Sequence, residues 1–376
     1  MKKIKRIIKR ILCFLLPLRK IIVFESVPAF SDNTRAVFDE MIRRGVNKKY
    51  KMVWFSITDD KMQENIENVD FVNTEKDIKK VRYYKLFSRA LISCNCFVRP
   101  RKKRQFSIYL SHGTGIKSTR NHYNVPAEID RCLVAGEGAK KLMAYEFRYD
   151  ENKIISLGFP RNDALTNSTK DVKSILQTSC DKVVVWYPTF RQHKSDSIVG
   201  AKSGVPIIHN TESAFELNEK AKELNILIVL KPHFAQDLAY IKDLGLSNIR
   251  FIDDEFYVKN KISSYEFVGG CDSLISDYSS VYYDYTLCDK PIGVIWEDIE
   301  EYKQAHGLVD NYEYYLKGAE KIYTLSDFTQ FLERVSNGED ALRDERREIR
   351  DKMNYSTDGR NSERVVDYIL SQINYK

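Results

Sequence analysis

The sequence predicts an α/β protein of two Rossmann-like, doubly wound domains facing a cleft. Three observations predict it. Short β-branched runs alternate with amphipathic segments from Ile21 to the end of the 376-residue chain, the pattern of βαβ units and parallel sheets. There are eleven such runs, too many for one small sheet, and a polar stretch at 166–181 divides them into six and five. The reading is therefore residues 1–18 as a basic segment, 19–165 as an N-terminal domain and 166–376 as a C-terminal domain. The last helices are expected to pack back on the first domain.

Taken in order, residues 1–20 carry Lys2, Lys3, Lys5, Arg6, Lys9, Arg10, Arg19 and Lys20 and no acidic residue, which accounts for the net charge of +7. The remainder is nearly neutral, so the excess is local and no nucleic-acid footprint is read. The apolar run ILCFLLPL at 11–18 is short, is interrupted by Pro17 and is closed by Arg19-Lys20. It is too short to span a bilayer, which takes roughly 20 apolar residues, and does not read as an export signal. Read as a helix, residues 1–18 place Ile4, Ile7, Ile8, Ile11, Leu12 and Leu15 on one face and the cations largely on the other, as in a helix lying in an anionic membrane interface. A second basic run, RPRKKR at 99–104, reads as a solvated loop. Seven cysteines, an odd number set mostly in strand-like runs, fit reduced core thiols rather than a disulfide framework.

The strands are expected at 21–25, 52–57, 91–94, 107–111, 131–135 and 153–157, then at 182–187, 226–230, 249–252, 273–276 and 291–295. Helices are expected at 34–44, 139–147, 213–224 and 279–287. No Gly-x-Gly-x-x-Gly or Walker A sequence occurs, so dehydrogenase and P-loop readings fail. Parallel sheets bind ligands beyond the carboxyl ends of their strands, which directs attention to the residues just after each one.

Four strand ends carry chemistry. After SIYLS comes His112-Gly113-Thr114-Gly115-Ile116-Lys117-Ser118: two glycines let backbone approach a ligand, the histidine suits a base near neutral pH, and Lys117 adds charge for a phosphate. After VVVWY come Thr189, Phe190 and Arg191, and after ILIVL come Lys231 and His233. After SLIS comes Asp277-Tyr278-Ser279-Ser280, where Asp277 or Ser279 would cap a new helix whose first N–H groups hold an anion. Asp284, a turn further on, would accept hydrogen bonds from donor hydroxyls. Gly158-Phe159-Pro160-Arg161 closes the first domain, with Arg161 reaching into the cleft.

These residues resemble a known family, the CDP-glycerol glycerophosphotransferases of teichoic-acid and capsule synthesis. The resemblance covers most of the chain: IVFESVPAFSDNTRA from Ile22, His-Gly-Thr-x-x-Lys, Gly-x-Pro-Arg-Asn-Asp, Pro-Thr-Phe-Arg, Lys-Pro-His and Ser-Asp-Tyr-Ser-Ser-x-x-x-Asp. Gly115 stands where the family commonly has proline. The resemblance implies a GT-B fold, with 19–165 on the acceptor side and 166–376 binding the donor, and peripheral attachment at the cytoplasmic membrane face. It implies transfer of glycerol phosphate from CDP-glycerol, or ribitol phosphate from CDP-ribitol, to a lipid-linked saccharide or polyol-phosphate acceptor. It makes His112 the base and His233 a second catalytic residue. Gly113, Thr114, Lys117, Arg161, Thr189, Phe190, Arg191, Lys231, Asp277, Ser279, Ser280 and Asp284 become donor-binding. No carboxylates sit at metal-binding spacing, so no tightly bound metal is expected, with Mg²⁺ at most loosely held beside the nucleotide. The length favours a primase or short-chain transferase. Two other readings stand beside this one: a GT-B glycosyltransferase using a nucleotide sugar, and a catalytically silent membrane-surface protein.

Overall fold

The computed structural model describes residues 16–58, 65–119, 124–189, 205–232 and 238–375. The chain forms two compact units: Met1–Gly113, Thr119–Asp163 and Arg360–Lys376 make the first, Thr114–Ser118 and Ala164–Gly359 the second.

The first unit holds a seven-stranded sheet in the order β3-β2-β1-β4-β5-β6-β7. Its strands are β1 Ile21–Glu25, β2 Lys51–Ser56, β3 Val69–Asn73, β4 Ala90–Ser93, β5 Phe106–Tyr109, β6 Arg131–Val134 and β7 Ile154–Ser156, and every pairing is parallel. β1 shows why the run IIVFE becomes a central strand. Ile22 and Phe24 enter one core with Val37, Phe38 and Met41 of helix α1 (Asp32–Arg43), while Ile21 and Val23 enter another with Tyr84 and Val98. Both faces are covered, as a parallel sheet requires. Helix α2 (Ile78–Phe87) contributes Tyr84 to the second core. The C-terminal helix Asn361–Tyr375 buries Val365, Val366, Ile369 and Ile373 beside α1. Its start is fixed from far away in sequence: the Asp163 carboxylate accepts from the backbone N–H of Asn361 and of Ser362, at 2.8 and 2.7 Å.

The second unit repeats the winding. Strands β8 Lys182–Trp186, β9 Ile226–Leu230, β10 Ile249–Phe251, β11 Ser273–Ser276, β12 Ile292–Ile295 and β13 Glu320–Ile322 form a parallel sheet in the order β10-β9-β8-β11-β12-β13. Trp186, Ile228 and Ile275 pack with Ala214 and Leu217 of the helix Thr211–Glu223 and with Phe328 and Phe331 of the helix Leu325–Asn337. Both helices begin with a capping box, Asn210 with Ser213 and Thr324 with Asp327, which satisfies N–H groups that a helix start leaves open. In each sheet the chain winds from its central strand to one edge, then returns to continue towards the other. The reversals fall between β1 and β4 and between β8 and β11, the positions where such sheets bind ligands.

The α/β class and the two Rossmann-like sheets are as the sequence predicts, but two strands were not read. Val69–Asn73 and Glu320–Ile322 are edge strands only partly buried, so neither carries the apolar run that marks a central strand. The helix expected at 279–287 is shorter, Val281–Tyr285 followed by a 3₁₀ turn Thr286–Cys288. None of the six described cysteines is in a disulfide.

Candidate active site

In the first unit the site is built around the end of β5. Its tip is locked from three sides. Asn33, on the first turn of α1, donates its amide to Ser111 O at 2.9 Å and accepts from the Arg161 backbone N–H at 3.1 Å. The Arg161 guanidinium donates to Asp32 and to His112 O, both at 2.8 Å. The Cys94 thiol donates to Ser111 O at 2.8 Å, and burial pushes that thiol well above its ordinary pKa, so it stays a neutral donor. Ser111 has φ 56° and Gly113 φ 144°, left-handed backbone that turns the chain sharply and that glycine tolerates best. The outcome is an exposed His112 on a fixed backbone, its Nδ1 3.3 Å from Tyr109 Oη.

Arg161, expected among donor ligands, is thus placed beside His112. Its motif neighbours are equally architectural. Gly158 has φ 81°, and a Cβ there would meet Asn361 Oδ1 at 1.9 Å. Asp163 caps the last helix.

The second unit holds described residues expected on the donor side at the ends of β8, β9 and β11. Asp277, 1 % exposed, is a bracket rather than a cap. It accepts from the Thr189 backbone N–H at 2.8 Å, from the Thr189 hydroxyl, and from the Tyr278 N–H at 2.7 Å, tying the loops after β8 and β11 together. The expectation that Asp277 or Ser279 caps the helix is corrected accordingly. Ser280 occupies the cap position without a side-chain cap bond, and Ser279 Oγ makes only a 3.4 Å contact with the Val281 N–H. Lys231 pairs with Asp254 at 3.1 Å. Asp284, expected to receive donor hydroxyls, is 1 % exposed and accepts from Tyr265 Oη at 2.6 Å.

Thr114–Ser118 belong to this unit. Lys117 forms an antiparallel bridge with Leu308, the Val309 N–H donates to Ile116 O at 2.8 Å, and Thr114 is buried. Lys117 Nζ lies 5.8 Å from the Tyr302 ring centre, and Tyr302 stacks on Tyr278 at 3.6 Å. Phe190, Arg191, His233, Lys2, Lys3, Lys5, Arg6, Lys9 and Arg10 lie outside the described residues. Among the described residues no group of three or more His, Cys, Asp or Glu is arranged to hold a metal.

The sequence reading missed Asn33, Tyr109 and the Tyr278–Tyr302 stack. Asn33 carried a signal, a polar residue opening a helix just beyond a central strand. The Tyr278–Tyr302 stack carried none, because its partners lie 24 residues apart, and Tyr109 read as one more residue of a buried strand.

Two parallel sheets with these polar strand ends define a two-domain Rossmann-like protein of the GT-B class. The structure of the wall teichoic acid polymerase TagF has this fold, with a TM-score of 0.75 at 21% identity, covering 100% of this chain and 97% of that one. A UDP-GlcNAc 2-epimerase from Neisseria meningitidis shares it more distantly, with a TM-score of 0.53 at 13% identity, covering 94% of this chain and 100% of the other. The sequence profile of the CDP-glycerol:poly(glycerophosphate) glycerophosphotransferases matches residues 8–371, and the chain belongs to that family. By family it is a glycerophosphotransferase. The teichoic acid glycerol-phosphate primase of Bacillus subtilis (strain 168) is 22% identical over 309 residues, 76% of each chain. The teichoic acid poly(glycerol phosphate) polymerase of Staphylococcus epidermidis is 28% identical over 345 residues, 81% of this chain but 44% of the relative. The chain therefore spans less than half of that polymerase.

Proposed function

We propose that the chain moves glycerol phosphate from CDP-glycerol onto a hydroxyl of a membrane-linked acceptor in teichoic-acid or capsule-type synthesis, releasing CMP. One observation carries the reading: an exposed histidine on a backbone fixed by Asn33, Arg161 and Cys94, with its Nδ1 against Tyr109 Oη. In the tautomer with the proton on Nδ1, donated to Tyr109, His112 carries its basic lone pair on Nε2. It takes the acceptor hydroxyl proton as that oxygen attacks the distal phosphorus. The bond from that phosphorus to the bridging oxygen breaks, and the electron pair leaves with CMP. Such transfers rest mainly on positioning and charge stabilisation. On the donor side Lys117, Lys231, Arg191 and His233 offset the departing charge. Ser279 and Ser280 hydrogen-bond the pyrophosphate, with Gly113, Thr114, Thr189 and Phe190 shaping the path. The Asp277 bracket supports them, and Asp284 acts through Tyr265. The chemistry needs no resident metal, and any Mg²⁺ enters with the nucleotide.

The enzyme works at the cytoplasmic face of the membrane. No helix among the described residues is long and apolar enough to cross one. Lys102 Nζ donates to Leu16 O at 2.8 Å, which sets the basic turn at 99–104 beside the point where residues 1–15 join the fold. A second donor deserves the same test, because the teichoic acid ribitol-phosphate polymerase TarL of Staphylococcus aureus is 25% identical over 91% of this chain.

The test is CMP release from CDP-glycerol, CDP-ribitol and UDP-sugars with a soluble oligo(glycerol phosphate) acceptor. CDP-glycerol is expected to give acceptor-dependent CMP, and UDP-sugars none. Turnover of a UDP-sugar alone would overturn the reading.

A further inference from the structure

Glu25 ends β1 at the point where the first sheet reverses its winding. A carboxylate there is unexpected, because the strand is otherwise fully buried apolar chain. Burial pushes the Glu25 carboxyl above its ordinary range, only partly offset by the cation of Lys85. Its Oε2 is buried with no hydrogen-bond partner among the described residues. Leaving a buried carboxyl oxygen unsatisfied costs free energy, so such an atom in a native protein calls for an explanation.

Register supplies one. Glu25 is paired with Ser93 of β4, and Ser93 with Tyr109 of β5. Neighbouring residues on one rung of a parallel sheet point to the same face, so Glu25 and Tyr109 flank the small Ser93 side chain. Two strand spacings put their Cα atoms roughly 10 Å apart. Tyr109 Oη is the group that touches His112 Nδ1, and Phe97, packed on Tyr109 at 4.8 Å between ring centres, closes the same face. The rung therefore runs from an unsatisfied acid to the partner of the base, with a serine between.

We infer that this rung is the acceptor's hydroxyl subsite, and that Glu25 binds a hydroxyl of the polyol unit next to the one His112 deprotonates. A three- or five-carbon polyol offers vicinal hydroxyls, and one of them supplies the partner that Oε2 lacks. The inference rests on the transferase reading above, since it presumes that the polyol unit occupies the His112 side.

The experiment compares the full-length wild type with Glu25→Gln and Glu25→Ala. Two soluble acceptors are used: an oligo(glycerol phosphate), and the same oligomer ending in 1,3-propanediol phosphate, which keeps the attacking hydroxyl and lacks its neighbour. CDP-glycerol affinity and melting temperature are recorded for each variant. The wild type is expected to prefer the glycerol terminus, and Glu25→Ala to raise the KM for that acceptor roughly 10- to 100-fold, the worth of one hydrogen bond to a charged or buried carboxyl. Both acceptors then become equivalent, donor affinity is unchanged, and Glu25→Gln keeps part of the preference. An Ala variant that retains the wild-type preference overturns the inference and leaves the transferase reading intact. So does an equal loss with both acceptors, or a loss shared with donor affinity, because that marks a merely structural role. A wild type that releases no CMP from CDP-glycerol or CDP-ribitol overturns both.

Discussion

His112 is exposed, yet the backbone that carries it is held by groups from three separate segments. That combination suits a base, which must reach substrate without wandering. Replacing it with alanine is expected to lower turnover about 10²- to 10⁴-fold, the usual cost of losing a general base. Melting temperature and CDP-glycerol affinity should hold. A variant keeping more than half its turnover would remove His112 from the chemistry. Tyr109→Phe tests the tautomer: losing one neutral hydrogen bond should cost a factor of a few to about ten in kcat, with donor affinity unchanged. His112 was legible because a histidine followed by two glycines and a lysine stood just past a strand, where parallel sheets put their ligands. Glu25 was not, since one acid closing the run IIVFE reads as the strand's last residue. Only the strand register places it on one rung with Ser93 and Tyr109.

At the level of elements, the motif Gly-x-Pro-Arg-Asn-Asp illustrates how a signature can be architectural. Asp163 caps the last helix of the chain across a separation of 198 residues. Asp163→Ala should therefore destabilise the first unit by about 1–2 kcal/mol, as losing a helix cap does, seen as a lower melting temperature and freer exchange of the Asn361 and Ser362 amides. Unchanged exchange would show that other groups hold that helix. Strands with apolar runs were readable from their residues alone, whereas the edges Val69–Asn73 and Glu320–Ile322 exist mainly because a neighbour offers its ladder. The start of the helix Val281–Tyr285 is a different case, since its cap position makes no side-chain bond. Ser279→Ala with Ser280→Ala should then leave stability nearly unchanged while weakening CDP-glycerol binding in calorimetry. An unaltered donor affinity would place the phosphates elsewhere.

For the whole molecule the charge is the plainest feature: eight cations and no acid in the first 20 residues of a chain whose net charge is +7. Each Lys or Arg near an anionic bilayer contributes about 1 kcal/mol, screened beyond roughly 8–10 Å at ordinary ionic strength. Deleting residues 2–18 should abolish salt-sensitive binding to anionic vesicles and activity on a lipid-linked acceptor, while activity on a soluble acceptor persists. If the truncated chain still binds those vesicles as well as the full one, the basic turn at 99–104 carries the membrane contact instead. The fold, a sheet wound twice in the same order, is shared with a protein of another name, a UDP-GlcNAc 2-epimerase. Transfer chemistry therefore has to be shown at the bond itself. The direct measurement is one turnover with CDP-glycerol carrying isotopic label in its distal phosphorus. Phosphoryl transfer requires that label to move with glycerol to the acceptor, leaving unlabelled CMP. Label recovered in released CDP would mean that the carbon–oxygen bond is cut, and would contradict the account.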